Sequence, residues 1–236
     1  RGGMSARPLA PVCWPEGSLG HESETLRRRL KGAGIESAGS DARALLCWAL
    51  GCGGAHLAAH AGDPLPPGAA SILAAAARRR ESREPLAYIT GEQEFWSIPI
   101  KVAPGGLIPR PETELLVERC AAALAGSEAP RILDLCTGSG AVGVALAKEL
   151  PRARVVASDI SAEALELAAE NARRAGVADR FEAVRSDLFG SLPGGGGFDA
   201  IVSNPPYIES GQIDGLMPEV ALHEPPVNVL RSGFIA

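Results

Sequence analysis

No stretch of the 236-residue chain approaches the run of about 18 apolar residues that a membrane-spanning helix needs. The first twenty residues, rich in proline and glycine, lack the apolar core of a secretion signal. The expectation is a soluble, cytoplasmic chain with no membrane partner. Cysteine is scarce and unpatterned: Cys13, Cys47, Cys52, Cys120 and Cys136 are odd in number and contain no C-x-x-C, which argues against a disulfide framework or a zinc site. His56 and His60 stand four apart with no third ligand-bearing motif nearby, so they read as a solvated or packed pair and no metal is expected. Positive charge is also in short supply. The formal net charge is −5; residues 1–90 hold 11 Lys/Arg against 8 Asp/Glu, and residues 91–236 hold 12 against 20. So acidic a larger half does not suit stable nucleic-acid binding. The basic excess sits in Arg27-Arg28-Arg29 and Arg78-Arg79-Arg80, which read as solvated helix ends.

What is present is ordinary globular material, 46% hydrophobic and 22% charged, enough for one sizeable α/β domain and a smaller one. Residues 1–20 read as a disordered or appended tail, with Arg1-Gly2-Gly3 preceding Met4. Residues 21–90, rich in Ala, Leu and Arg between Gly/Pro breaks, read as a cluster of short helices; Ser40 or Asp41 would cap one over 42–50, and Pro66-Pro67 would start one running to Arg80. Residues 91–106 change character: Phe95, Trp96, Ile98, Ile100 and Val102 around Pro99 suggest an edge hairpin acting as connector. Over 107–236 strands at 132–135, 155–158, 181–185 and 199–203 alternate with helices over 141–150 and 162–175, the second capped by Ser161. This β-α-β-α-β pattern predicts an α/β fold with a doubly wound, mainly parallel sheet, whose ligand lies at the carboxyl ends of the strands.

Four loops then converge. The first contains G-x-G-x-x-G at Gly138, Gly140 and Gly143, between a strand and a helix, and Asp159 follows Gly138 by 21 residues at the next strand end, where a carboxylate can accept both ribose hydroxyls. The competing role for Asp159 is a helix cap, which Ser161 can fill instead. Asp134 at the first strand end would meet the ammonium of a methionine moiety and repel a pyrophosphate, and Asp187 suits an adenine amine. These favour S-adenosylmethionine over a dinucleotide. The fourth loop, Asn204-Pro205-Pro206-Tyr207, has two prolines without N–H groups, a side-chain amide oxygen and a flat ring, a set suited to hold a planar NH2 group. Its bland reading is a Pro-Pro turn after a buried strand.

The segments Ile108-Pro109-Arg110-Pro111-Glu112-Thr113-Glu114, Ile132 to Gly140, Ser186-Asp187-Leu188-Phe189 and Val202 to Ile208 resemble the HemK/PrmC family of release-factor glutamine N(5)-methyltransferases. The resemblance implies a Rossmann-like class I S-adenosylmethionine-dependent methyltransferase domain behind a helical domain and a β-hairpin, and methyl transfer to the GGQ glutamine of class I peptide chain release factors. It assigns Asp134, Cys136, Thr137, Gly138, Ser139, Gly140, Asp159, Asp187, Leu188 and Asn204 to the cofactor. Asn204, Pro205, Pro206 and Tyr207 are assigned to substrate and catalysis, with Arg110 on the substrate. A monomer is expected. The helix-start reading of Pro111-Glu112-Thr113-Glu114 stands beside any catalytic one. Two departures stand out. Cys136 replaces the first glycine of the family's loop, so this position must either avoid positive φ or tolerate strain. The family also continues beyond Glu224-Pro225 with a further parallel strand and an antiparallel pair, so the fourth strand is expected as the unpaired edge of a truncated sheet. A glutamine methyltransferase of ribosomal protein L3, a nucleic-acid adenine methyltransferase and an inactive relic remain as rival readings.

Overall fold

Leucines spaced along short alanine-rich segments build the first part of the fold. The structure, a computed structural model, describes residues 14–104, 106–192, 197–205, 208–209, 218–223 and 229–230. The chain divides between Ile89 and Thr90 into two units. The first contains α1 (Leu19–Gly32), α2 (Ala38–Leu50), α3 (Gly54–Ala59), α4 (Ala69–Glu81) and α5 (Leu86–Thr90). Leu19, Leu26 and Leu30 share one face of α1 and meet Ala42, Leu45 and Leu46 of α2 and Leu73, Ala76 and Ala77 of α4 in a single core. Ser18 caps α1 by accepting the His21 N–H, and Arg29 and Lys31 sit in its last turn, where cations suit the dipole.

Three expectations change here. Leu19 and Gly20, expected within the tail, are buried in α1, and their N–H groups donate to the Asp63 and Ala61 carbonyls at 2.9 and 2.8 Å. Helix α2 begins at Ala38, ahead of the expected cap, and α4 begins after Gly68, whose φ of 88° turns the chain in. The basic runs are mostly solvent-facing, as expected, but ion-paired, and Arg80 is the exception. Arg27 pairs with Glu24, Arg29 with Glu81 and Arg79 with Glu84. Arg80 is not a solvated helix end: it reaches Asp41 at 2.8 Å with both side chains only 7% exposed. This pair holds α4 against the first turn of α2, which explains why Asp41 does not serve as a cap.

The second unit opens with the hairpin β1 (Glu92–Phe95) and β2 (Ile98–Lys101), antiparallel, with Glu92 opposite Lys101. Its two turn residues, Trp96 and Ser97, have φ of 52° and 57°, the left-handed geometry that two-residue hairpins need and that glycine or asparagine usually supplies. The second unit itself supplies the restraint: the Trp96 N–H donates to Glu114 Oε1 at 2.7 Å and its indole N–H to Glu149 Oε2 at 3.1 Å. A 3-10 turn at Pro111–Thr113 leads into α6 (Glu114–Ala123), then β3 (Arg131–Leu135), α7 (Ala141–Glu149), β4 (Arg154–Asp159), α8 (Ala162–Arg174), β5 (Phe181–Arg185) and β6 (Ala200–Ser203). The short pieces β7 (Ile208–Glu209), α9 (Pro218–His223) and β8 (Val229–Leu230) follow, with β7 and β8 parallel.

The main sheet is parallel, in the order β5-β4-β3-β6. Ile132, Val155 and Val202 pack one face against Val117 of α6, Val144 and Leu146 of α7 and Ala172 of α8. The other face carries Leu133, Leu135 and Val156 under Leu188, Leu192 and Phe198, with no helix of that cluster among the described residues. Among the described residues β6 pairs with β3 alone. Its register is pinned at both ends: the Arg131 N–H donates to Asp199 Oδ2 at 2.7 Å, and the Ser203 hydroxyl donates to the Leu135 carbonyl at 2.7 Å. The chain steps from β3 out to β5 and then returns to the opposite side of β3, so the loops after β3 and β6 part at the switch point where such sheets open a crevice.

The Arg80–Asp41 pair generates a prediction. Arg80→Ala strands a buried carboxylate and is expected to cost the helical unit roughly 3–5 kcal/mol, whereas Arg80→Met with Asp41→Leu recovers most of that loss, as read by urea denaturation. Equal losses in both variants would sink the charge argument.

Candidate active site

The loop after β3 is tied down residue by residue. Asp134, 2% exposed at the end of β3, accepts the Thr137 hydroxyl at 2.5 Å and the Gly143 N–H at 2.9 Å on Oδ2. Both bonds fall on Oδ2 and brace the loop onto the first turn of α7. Cys136 adopts φ 60°, so the position does take the left-handed geometry, at a cost of roughly 1–2 kcal/mol for a side-chain-bearing residue. The Thr137 N–H donates to the Ser158 carbonyl at 2.9 Å and the Gly138 N–H to Asp159 Oδ2 at 2.9 Å. Thr137 and Ser139 are buried, leaving Cys136 and Gly138 as the half-exposed members of the loop.

The three glycines serve three different needs. Gly138, φ 55°, has no atom within 4 Å of where a Cβ would stand, so it faces open space. Gly140, φ 80°, lets the loop pack on α8, since a Cβ would lie 2.8 Å from that of Ala168. Gly143 brings α7 onto the sheet, where a Cβ would meet Asp134 Oδ2 at 2.9 Å and Val155 at 3.1 Å.

The neighbouring loops meet this one. Asp159 also accepts the Ser161 N–H on Oδ1 at 3.0 Å, while Ser161 itself caps α8 by accepting from the Ala164 N–H. After β5, buried Ser186 organises the turn: its N–H donates to the Asp159 carbonyl, its hydroxyl donates to the Leu188 carbonyl at 2.8 Å and accepts the Ser191 N–H at 2.9 Å. Leu188 takes φ 48° within that turn, and Asp187 is exposed. Burial pushes the Cys136 thiol up, Asp159 adds to this, the Ser203 hydroxyl opposes it, and Asp134 and Asp187 add further. One half-buried thiol thus feels side chains from the ends of all four strands. Asn204, half-buried, and Pro205, exposed, follow β6 directly; Pro206 and Tyr207 lie outside the described residues. Arg110, also half-buried, sits just ahead of the Pro111–Thr113 turn, which starts α6 as the helix-start reading expects.

The comparisons with known proteins decide the family. Residues 24–91 match the profile of the PrmC N-terminal domain and residues 111–232 that of the methyltransferase small domain. The chain is 47% identical over 197 residues to the release factor glutamine methyltransferase of Cereibacter sphaeroides, covering 84% of this chain and 69% of that protein. The corresponding figures are 43%, 88% and 70% for the same-named protein of Bradyrhizobium diazoefficiens, and 44%, 82% and 68% for that of Moorella thermoacetica. The chain belongs to the PrmC family of release factor glutamine methyltransferases. Its second unit is a class I S-adenosylmethionine-dependent methyltransferase domain.

The PrmC-family residues present fit that cofactor. Space is open in front of Gly138, and the Asp159 carboxylate has about four acceptor sites, of which the Gly138 and Ser161 N–H groups take two. Three residues near the site escaped the sequence reading. Ile160 is a large apolar residue left 61% exposed directly after Asp159, and the role of Ser203 shows only once β6 is set in register. Asn171 in α8 had a legible signal: it lies on the helix face of Leu165, Ala168 and Ala172, a polar residue among buried apolar ones.

Burial raises the Asp134 carboxyl from 3.8 to about 6; the Thr137 and Gly143 bonds oppose the rise and the Asp159 charge adds to it. A folded value above the unfolded one means that this group contributes stability when protonated, fully below about 3.8 and lost as pH rises through about 6. Relative to Asp134→Asn, which does not titrate, the unsubstituted protein is expected to lose about 2 kcal/mol between pH 4 and pH 7. Urea denaturation of both proteins at the two pH values measures it; a gap that does not change with pH would contradict it.

Proposed function

We propose that the chain transfers a methyl group from S-adenosylmethionine to the side-chain amide nitrogen of the glutamine in the GGQ motif of class I peptide chain release factors. The observation that supports this most directly is the β3–β6 pairing, with Leu135 opposite Ser203, so that Asn204 and the half-exposed Cys136 each follow one of two paired strand ends. S-adenosylmethionine, when bound, supplies an electrophilic sulfonium methyl. Asp159 would hold its ribose hydroxyls, Asp187 its adenine amine, and Leu188 and exposed Ile160 would border the base. Cys136, Thr137, Ser139 and Gly140 keep the loop shaped around Gly138, with Asp134 acting from beneath.

A glutamine amide nitrogen is a poor nucleophile because its lone pair is delocalised into the carbonyl. Positioning must overcome that. The Asn204 side-chain oxygen and the Pro205 carbonyl would accept the two amide N–H bonds and so aim the nitrogen lone pair, while Pro206 stiffens the turn and Tyr207 packs on the amide plane. No strong base is needed before transfer, since the alkylated amide is acidic enough to lose its proton to water. Arg110 would contact the release factor, and the helical unit, whose residues 24–91 match the PrmC N-terminal profile, would grip it. The chain would act in the cytoplasm as a monomer.

Incubation with labelled S-adenosylmethionine and, in parallel, a class I release factor, ribosomal protein L3 and DNA tests the reading. Label on the GGQ glutamine alone is expected; label on L3 or DNA, or none at all, would overturn it. Within the site, Asn204→Ala should lower turnover by roughly two orders of magnitude with little change in cofactor affinity. A collapse of cofactor binding instead would reassign Asn204.

A further inference from the structure

Asn171 is 1% exposed and uses its amide on three partners from two different parts of the second unit. Its Oδ1 accepts the Lys101 N–H at 2.8 Å and its Nδ2 donates to the Lys101 carbonyl at 3.0 Å, so the side chain pairs with the end of β2 as a neighbouring strand would. The same Nδ2 donates to the Ser139 carbonyl at 2.9 Å, inside the glycine loop. One turn earlier on α8, Ala168 meets Gly140; one turn later, Arg174 pairs with Glu92, the residue opposite Lys101 in the hairpin. The face of α8 therefore touches the hairpin end and the loop together, and Asn171 bonds to both.

We propose that Asn171 is a positioning residue that couples the connector hairpin to the cofactor loop, so that ordering one orders the other. The proposal rests on the reading of the loop after β3 as the cofactor site. The physical reason is the economy of a buried amide. Both N–H groups and one lone pair are committed, and movement of either the Lys101 backbone or the Ser139 carbonyl leaves a buried polar group unsatisfied. Because β2 runs on into the segment carrying Arg110, the hairpin end also sets the origin of that segment. Coupling of this kind is reciprocal: a ligand that fixes the loop must also fix the hairpin.

Hydrogen–deuterium exchange of the full chain, with and without S-adenosylhomocysteine, tests it together with calorimetric affinities. In the unsubstituted protein, ligand is expected to slow exchange at 138–140 and, with it, at 92–102. Asn171→Ala is expected to weaken S-adenosylhomocysteine binding roughly ten- to hundredfold and to abolish the protection at 92–102 at saturating ligand, while protection at 138–140 remains. Arg174→Ala, which loosens the same hairpin end without touching the loop, should keep its affinity within about twofold. An unsubstituted protein that binds but leaves 92–102 unprotected overturns the proposal without any variant, so failure of Asn171→Ala to fold does not shelter it. Retained protection in Asn171→Ala, or an equal loss in Arg174→Ala, overturns it too. Failure of the unsubstituted protein to bind at all would take down the cofactor reading as well, which separates the two failures.

Discussion

The pairing of β6 with β3 is the constraint on which the rest of the site depends. A parallel strand that slips by one residue turns every side chain to the other face, and β6 has only four residues with which to resist. Backbone bonds alone would leave so short a strand weakly specified. Two side chains settle the register: Asp199 takes the Arg131 N–H at the start, and Ser203 reaches the Leu135 carbonyl at the end. With those in place Val202 falls on the helix-covered face beside Asp134, and Asn204 follows at the carboxyl end of the strand. The chemistry assigned to Asn204 is therefore fixed from the strand below it.

Buried and half-buried polar groups do similar work throughout the second unit. Asp134 fastens Thr137 and Gly143, Asp159 fastens Gly138 and Ser161, Ser186 fastens the turn after β5, and Asn171 fastens Ser139. A loop held this way has few conformations left to lose when a ligand arrives, which is the physical content of preorganisation. The strain at Cys136 and Leu188 persists because these bonds over-determine the loop around them.

Much of this was legible in the amino-acid sequence where local signals decide structure. Phe181–Arg185 reads as a strand and is β5; Ser161 reads as a cap and caps α8; the G-x-G-x-x-G run reads as a strand-to-helix loop and is one. What escaped depended on partners far away in the chain. Asp41 looks like a cap until Arg80, 39 residues on, claims it, and Arg80 looks solvated for the same reason. Asn171 is one polar residue in an Ala-rich helix until β2, 70 residues earlier, is laid against it. The site followed the same division: the residue types at the strand ends were readable, but the inward role of Asp134 was not, since it depends on how closely α7 approaches the sheet. Pro206 and Tyr207 lie outside the described residues.

The hairpin turn carries a consequence for how the chain is made. Trp96 and Ser97 both hold a backbone geometry that neither favours, and the groups that hold Trp96 there, Glu114 and Glu149, lie later in the chain, as does Asn171, which holds Lys101. A chain emerging from the ribosome thus presents the helical unit, with its own core, well before the hairpin has anything to lean on. The hairpin takes its final form only when α8 has been synthesised, so the order of translation is also the order in which these two parts settle.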